Sequence, residues 1–166
     1  MRQQPWIDRR LLLPLGVLAG VLVLLAGVVD DWSRDFTSHE AFIADGASDP
    51  SLRPLTSRRS LADLVEAVRR AAGRIRNLEY VGVASDETGA RILFLRTHRI
   101  LRLKSDVVIE VKDLGGRRIV RGEARSRLAI GDLGSNPRTL RRILAELRDV
   151  LEGSTRIPGE SRDGRT

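Results

Sequence analysis

The run from Leu11 to Val29, LLLPLGVLAGVLVLLAGVV, carries no charged or polar side chain over 19 residues. At about 1.5 Å per residue, a helix of that length spans about 28 Å, close to the hydrocarbon thickness of a bilayer. The run is apolar on every side, so it has no polar stripe to turn to water, as a surface helix of a small domain would. Pro14 falls in the first turn, where a missing N–H costs least. Trp6 and Trp32 flank the run, as indoles do at the two membrane interfaces. A secretory leader has a shorter apolar stretch, about 7–15 residues, followed by a small-residue cleavage site. Here the run ends Ala26-Gly27-Val28-Val29-Asp30, a poor cleavage site. The expectation is an uncleaved transmembrane anchor over 11–29. Arg2, Arg9 and Arg10 precede it, and Asp30 and Asp31 follow it. The positive-inside rule then keeps residues 1–10 in the cytoplasm and sends the rest across the inner (plasma) membrane, into the periplasm of a Gram-negative cell.

The full chain has 166 residues, which leaves room for one domain beyond the anchor. It has no cysteine, which excludes disulfides, thiolate metal sites and cysteine nucleophiles. His39 and His98 are the only histidines, and neither has a second ligand at metal-binding spacing. No metal site and no cofactor is expected. The formal charge is +7, nearly all of it from arginine, since Lys104 and Lys112 are the only lysines. The arginines are interleaved with acids, which is the pattern of a solvated face.

Residues 30–59 lack sustained periodicity and hold Gly46, Pro50 and Pro54. They read as an irregular linker partly packed on the domain, with Phe36, Phe42 and Leu55 docking into it. The domain proper is expected over 60–152. Ser60 with Asp63 three residues on is a helix start. Leu61, Leu64, Val65, Val68 and Ala72 form one apolar stripe, and Gly73 is placed to end the helix in a left-handed conformation. Four strand-like stretches follow, at 77–85, 90–99, 106–113 and 117–127. The spacings between them are too short for crossover helices, so the sheet is expected to be an antiparallel meander. Asn136 followed by Pro137 reads as a cap and first position of a final helix. Its apolar stripe runs through Leu140, Ile143, Leu144, Leu147, Val150 and Leu151. The fold class is therefore α+β: a four-stranded antiparallel sheet flanked by two helices, in the order α-β-β-β-β-α. Residues 153–166 are polar and read as a disordered tail.

No phosphate-binding loop, dinucleotide fingerprint, zinc-protease motif or nucleophile elbow is present. The densest polar stretch runs from Ser126 to Asn136 and bridges the last strand and the last helix. Upstream of it, Thr97-His98-Arg99-Ile100-Leu101-Arg102-Leu103-Lys104-Ser105-Asp106-Val107-Val108-Ile109 enters the third strand. These runs, with Ser126-Arg127 and Gly131-Asp132-Leu133-Gly134-x-Asn136, resemble the bacterial and plastid family catalogued as domain of unknown function 1499. Its members show T-x-L-F-x-F-x-D-D-V, then S-x-S-R-x-G-x-x-D-L-G-x-N. The likeness covers roughly Asp49 to Leu147. Ser105 stands where the first acid of D-D-V is usual, and Ala129 where a glycine is usual. The family carries no established reaction, so the resemblance implies a domain boundary and an envelope location.

Arg127, Asp132, Asn136, Asp106 and Lys104 are the candidate ligand-binding residues. Two readings of the loop compete. In one, Asn136 caps the final helix and Arg127 reaches Asp132 as a two-pronged partner. In the other, Arg127 stays free to hold an anionic ligand at the helix start. The expected function is a membrane-tethered, non-enzymatic domain that binds an envelope protein or an anionic ligand or lipid. The alternative is an enzyme acting on an anionic substrate through Asp106, Arg127 and Asp132. Nucleic acid is not an expected partner, because the domain has only Tyr80 and Phe94 as aromatic platforms.

Overall fold

The computed structural model describes residues 40–98, 102–128 and 134–153. The expected anchor at 11–29, Phe36, His39, Asp132 and the tail beyond Gly153 lie outside the described residues. Among the described residues no helix is long and apolar enough to cross a membrane.

Helix α1 spans Leu61–Gly73. It starts where its sequence says: the Ser60 hydroxyl accepts from Asp63 N–H at 3.1 Å and donates to the Asp63 carboxylate at 2.7 Å. Gly73 is the last helical residue, but the left-handed turn expected there is made by Asn77, at φ 61°. Strands β3 (Leu78–Ser85), β4 (Gly89–Thr97), β5 (Lys104–Asp113) and β6 (Arg118–Ser126) then form the antiparallel meander. Asp86 organises the first hairpin, its carboxylate accepting from Thr88 N–H at 2.7 Å and Gly89 N–H at 3.0 Å. Gly115 and Gly116, at φ 73° and 90°, make the tight turn between β5 and β6. Helix α2 spans Ser135–Gly153.

The sheet has six strands rather than four. β1 (Glu40–Ile43) and β2 (Leu55–Ser57) come from the segment read as linker. Both pair antiparallel with β6, β1 along Gly122–Arg125 and β2 along Arg118–Val120, so two short strands share one edge. A single 3₁₀ turn at Pro50–Leu52, capped by Asp49, joins them. Strands of four and three residues hold no readable period, and it is the finished edge of β6 that orders them. Ala41 and Ile43 turn into the core, and Phe42, one residue out of phase, is half exposed instead of docked. Leu55 does pack against the core.

Both helices lie on one face of the sheet and touch each other, α1 over β3–β5 and α2 over β6 and β1. The rows beneath them are apolar: Ala90, Val111 and Val120; then Ile92, Ile109 and Gly122; then Phe94, Val107 and Ala124. Leu64 and Val68 from α1 and Leu140, Ile143, Leu144 and Leu147 from α2 close over them without exposure.

Candidate functional site

One row further along the same face, the chemistry changes. Arg96 on β4 stands beside Ser105 on β5, which stands beside Ser126 on β6. Alternation alone sends all three toward the helices, in line with Phe94, Val107 and Ala124. The Ser105 and Ser126 hydroxyls are 3.1 Å apart. Asn136 Nδ2 donates to Ser126 Oγ at 3.2 Å, and Asn136 is only 1% exposed. Ser105, Ser126 and Asn136 thus form one hydrogen-bonded chain from β5 through β6 into α2.

This placement corrects the expected cap. Asn136 sits inside the first turn of α2, and its amide faces the sheet. The chain enters the helix through Gly134, buried and at φ 71°, a conformation open to glycine. Gly134 C=O accepts from Arg138 N–H at 3.3 Å, and Thr139 Oγ1 donates to Ser135 C=O at 2.8 Å. Pro137 lies in the first turn, where no N–H is needed.

The other described candidates, Asp106, Arg127 and Lys104, fall on the opposite face. Asp106 and Arg127 meet as a fork: Arg127 Nη2 donates to Asp106 Oδ1 at 2.7 Å, and Nε to Oδ2 at 3.0 Å. Both are about half exposed. The Asp106 carboxylate raises the Arg127 pKa above its ordinary value, first through the hydrogen bond and then through its charge. Arg127 therefore finds its two-pronged partner across the strands. Beside this pair, Arg125 meets Glu40 at 3.0 Å. Lys104 is exposed at the start of β5, and its C=O accepts from Arg127 N–H at 2.9 Å. Arg127, Asp106 and Lys104 thus cluster on the outer face, apart from Asn136 on the inner one.

The inner row opens into a cleft of about 530 Å³ between the end of β4 and the first turns of α2. Among the described residues, Arg96, His98, Ser135, Arg138, Thr139, Arg141, Arg142 and Ala145 line it, and no carboxylate does. Arg141 is held at the rim by Asp49, at 2.8 Å. That carboxyl lies below its ordinary pKa, chiefly through its hydrogen bonds from Ser51. Arg96 is half-buried, and its Nε has no hydrogen-bond partner. Burial first, then the charges of Arg142 and Arg138, pull its pKa down. His98 also shifts down, by burial and then by Arg96 and Arg138. Arg96 and Arg142 thus stand as like charges on a partly dry wall, with the Arg96 Nε left over as a donor, an arrangement that an anion would relieve.

Arg96, Arg138 and Arg142 lie outside the motif residues that the sequence offers as candidates. Two signals point to them in retrospect. Position 96 continues the inward alternation of Ile92 and Phe94, and Arg138, Arg141 and Arg142 recur at i, i+3 and i+4, one helix face.

No curated protein and no solved structure matches the chain. A family model described as "Protein of unknown function (DUF1499)" matches residues 31–147. That span takes in β1 and β2, every strand of the meander, and α2 as far as Leu147, well over half of the chain. The serine–asparagine chain and the basic cleft both lie within it, and this chain belongs to the DUF1499 family.

Proposed function

We propose that this chain is a single-pass, membrane-anchored envelope protein whose extracytoplasmic domain binds an anionic group in the cleft between β4 and α2. The observation that carries the reading is the convergence of Arg96 and Arg142, beside Arg138, on one opening that no carboxylate lines among the described residues. Among the described residues, Arg96 and Arg142 make no ion pair. The apolar run at 11–29 and the arginines before it support the anchor and its orientation. The Asp106–Arg127 pair, the basis of the enzymatic alternative, lies on the other face and is satisfied within itself.

The test is anion binding by the full chain in maltoside micelles, with a panel of sulfate, phosphate, malonate and citrate followed by amide chemical shifts. At least one of these is expected to perturb the amides of β4 and the first turns of α2. Arg142→Ala, an exposed position, is expected to weaken that anion by about tenfold, as loss of a charge-assisted contact does. Arg125→Ala on the outer face is expected to leave it unchanged. A panel with no saturable binding in the wild-type protein rules the reading out.

A further inference from the structure

The geometry points to a phosphoryl dianion, a phosphomonoester rather than a carboxylate, as the group this cleft takes. The inference rests on the anion-binding reading above and narrows it by the directions from which the donors come. Arg96 rises from the sheet floor at the end of β4, while Arg142 reaches in from α2, one helical turn beyond Arg138. A carboxylate presents two oxygens in one plane, and a single guanidinium fork satisfies it. Donors on two elements that meet at an angle suit an anion whose oxygens point to the corners of a tetrahedron.

Charge gives the same answer. Arg96 and Arg142 are two guanidinium groups without an ion pair among the described residues, and a phosphomonoester near neutral pH carries close to two negative charges. Arg141 is already committed to Asp49 at the rim, and Thr139 Oγ1 to the Ser135 C=O. The first turn of α2 borders the cleft at Ser135, which adds the positive end of a 19-residue helix to the same field. At about 530 Å³ and open to solvent, the cleft is also far larger than a bare phosphate needs. That leaves space for the ester's organic part.

Behind this wall, the Ser105–Ser126–Asn136 chain fixes the first turn of α2 against β5 and β6. These three residues position the helix that bears Arg138 and Arg142. They do not line the cleft themselves.

Calorimetric titration of the full chain in maltoside micelles at pH 7.5 tests this, with inorganic phosphate against malonate, a dicarboxylate of similar charge. Phosphate is expected to bind at least about tenfold more tightly than malonate. Arg142→Ala and Arg96→Met are each expected to lower phosphate affinity by about tenfold. The melting midpoint of Arg96→Met is expected to hold or rise, because a half-buried charge without a partner is removed. Malonate binding as tightly as phosphate overturns the phosphoryl assignment and leaves the anion site standing. If neither anion binds the wild-type protein, both readings fall. Competition then separates the sources of the group, with water-soluble dihexanoyl phosphatidic acid in one arm and glycerol 3-phosphate in the other. Displacement of phosphate at lower concentration by the lipid assigns a membrane headgroup. Displacement at lower concentration by glycerol phosphate assigns a soluble ester. Displacement by neither overturns the ester reading.

Discussion

Asp113 ends β5 and meets Arg118 across the Gly115-Gly116 turn, at 2.7 Å from Nη2 and 3.0 Å from Nε. Arg118 also donates from Nη1 to the C=O of Arg59 at 3.0 Å, tying the hairpin to the loop before α1. The Arg118 hydrogen bond is the main reason the Asp113 carboxyl sits below its ordinary value of 3.8. A carboxyl depressed in the folded state contributes stability above its unfolded pKa and loses it as pH falls through the folded one. The Asp113→Asn variant is therefore expected to melt below the wild-type protein at neutral pH. The gap between their midpoints is expected to shrink as pH drops below about 4. A gap constant from pH 7 to pH 2.5 in thermal melts would falsify this role. At the same scale, the site was only partly legible in the sequence. Ser126, Arg127 and Asn136 stood out through motif spacing, but spacing along a chain does not say which face a residue takes. Ser126 and Arg127 are consecutive, and that single step carries them to opposite sides of the sheet. Arg96 was hidden for the opposite reason. It lies in no motif; its alternation with Ile92 and Phe94 hints at an inward position, and the register with Ser105 fixes the row it enters.

Among the elements, legibility followed length. α1, α2 and the four long strands each cover several periods of their pattern, and their observed limits lie within a few residues of those expected. β1 and β2 cover less than two. What defines them is a partner strand about sixty to eighty-five residues away in sequence, a tertiary effect that local propensity cannot report. β1 is nevertheless part of the core. Ile43 is 3% exposed and its Cδ1 lies close over Gly122, where an added Cβ would stand 3.2 Å from it. Ile43→Ala is expected to destabilise the domain by about 2–4 kcal/mol, the usual result of truncating a buried aliphatic side chain. A loss under about 0.5 kcal/mol in denaturant melts, the range of a surface substitution, would place β1 outside the cooperative unit. The start of α2 shows a second limit. Asn-Pro is a common helix opening, but here Gly134 makes the turn, and the asparagine is spent on the sheet.

For the whole molecule, the proposed anchor and the domain rest on different physics. The domain rests on packed rows and register. The anchor rests on the bilayer-length apolar run and on which side its arginines lie. Under the proposed topology, alkaline phosphatase fused after Gly153 is expected to be active in a bacterial host, and alkaline washing of the membranes is expected to leave the chain in the pellet. An inactive fusion, or release into the wash, counts against the topology.

The shared edge of β6 also bears on how the chain reaches this state. Glu40 pairs with Arg125 and Ile43 with Gly122, so the first strand synthesised is locked by the last. Its contacts cannot form until nearly the whole domain exists, and closing a loop of about eighty residues carries an entropy that local hairpins avoid. The β3–β4 and β5–β6 hairpins can assemble early, whereas the outer edge arrives late, which moves folding toward the millisecond-and-slower range of long-range topologies. During that interval the backbone edge of β6 is open and Ala41 and Ile43 are wet. A nascent chain stalled before Ser126 therefore presents unpaired strands to its neighbours, and its solubility depends on how fast the final turn of the meander follows.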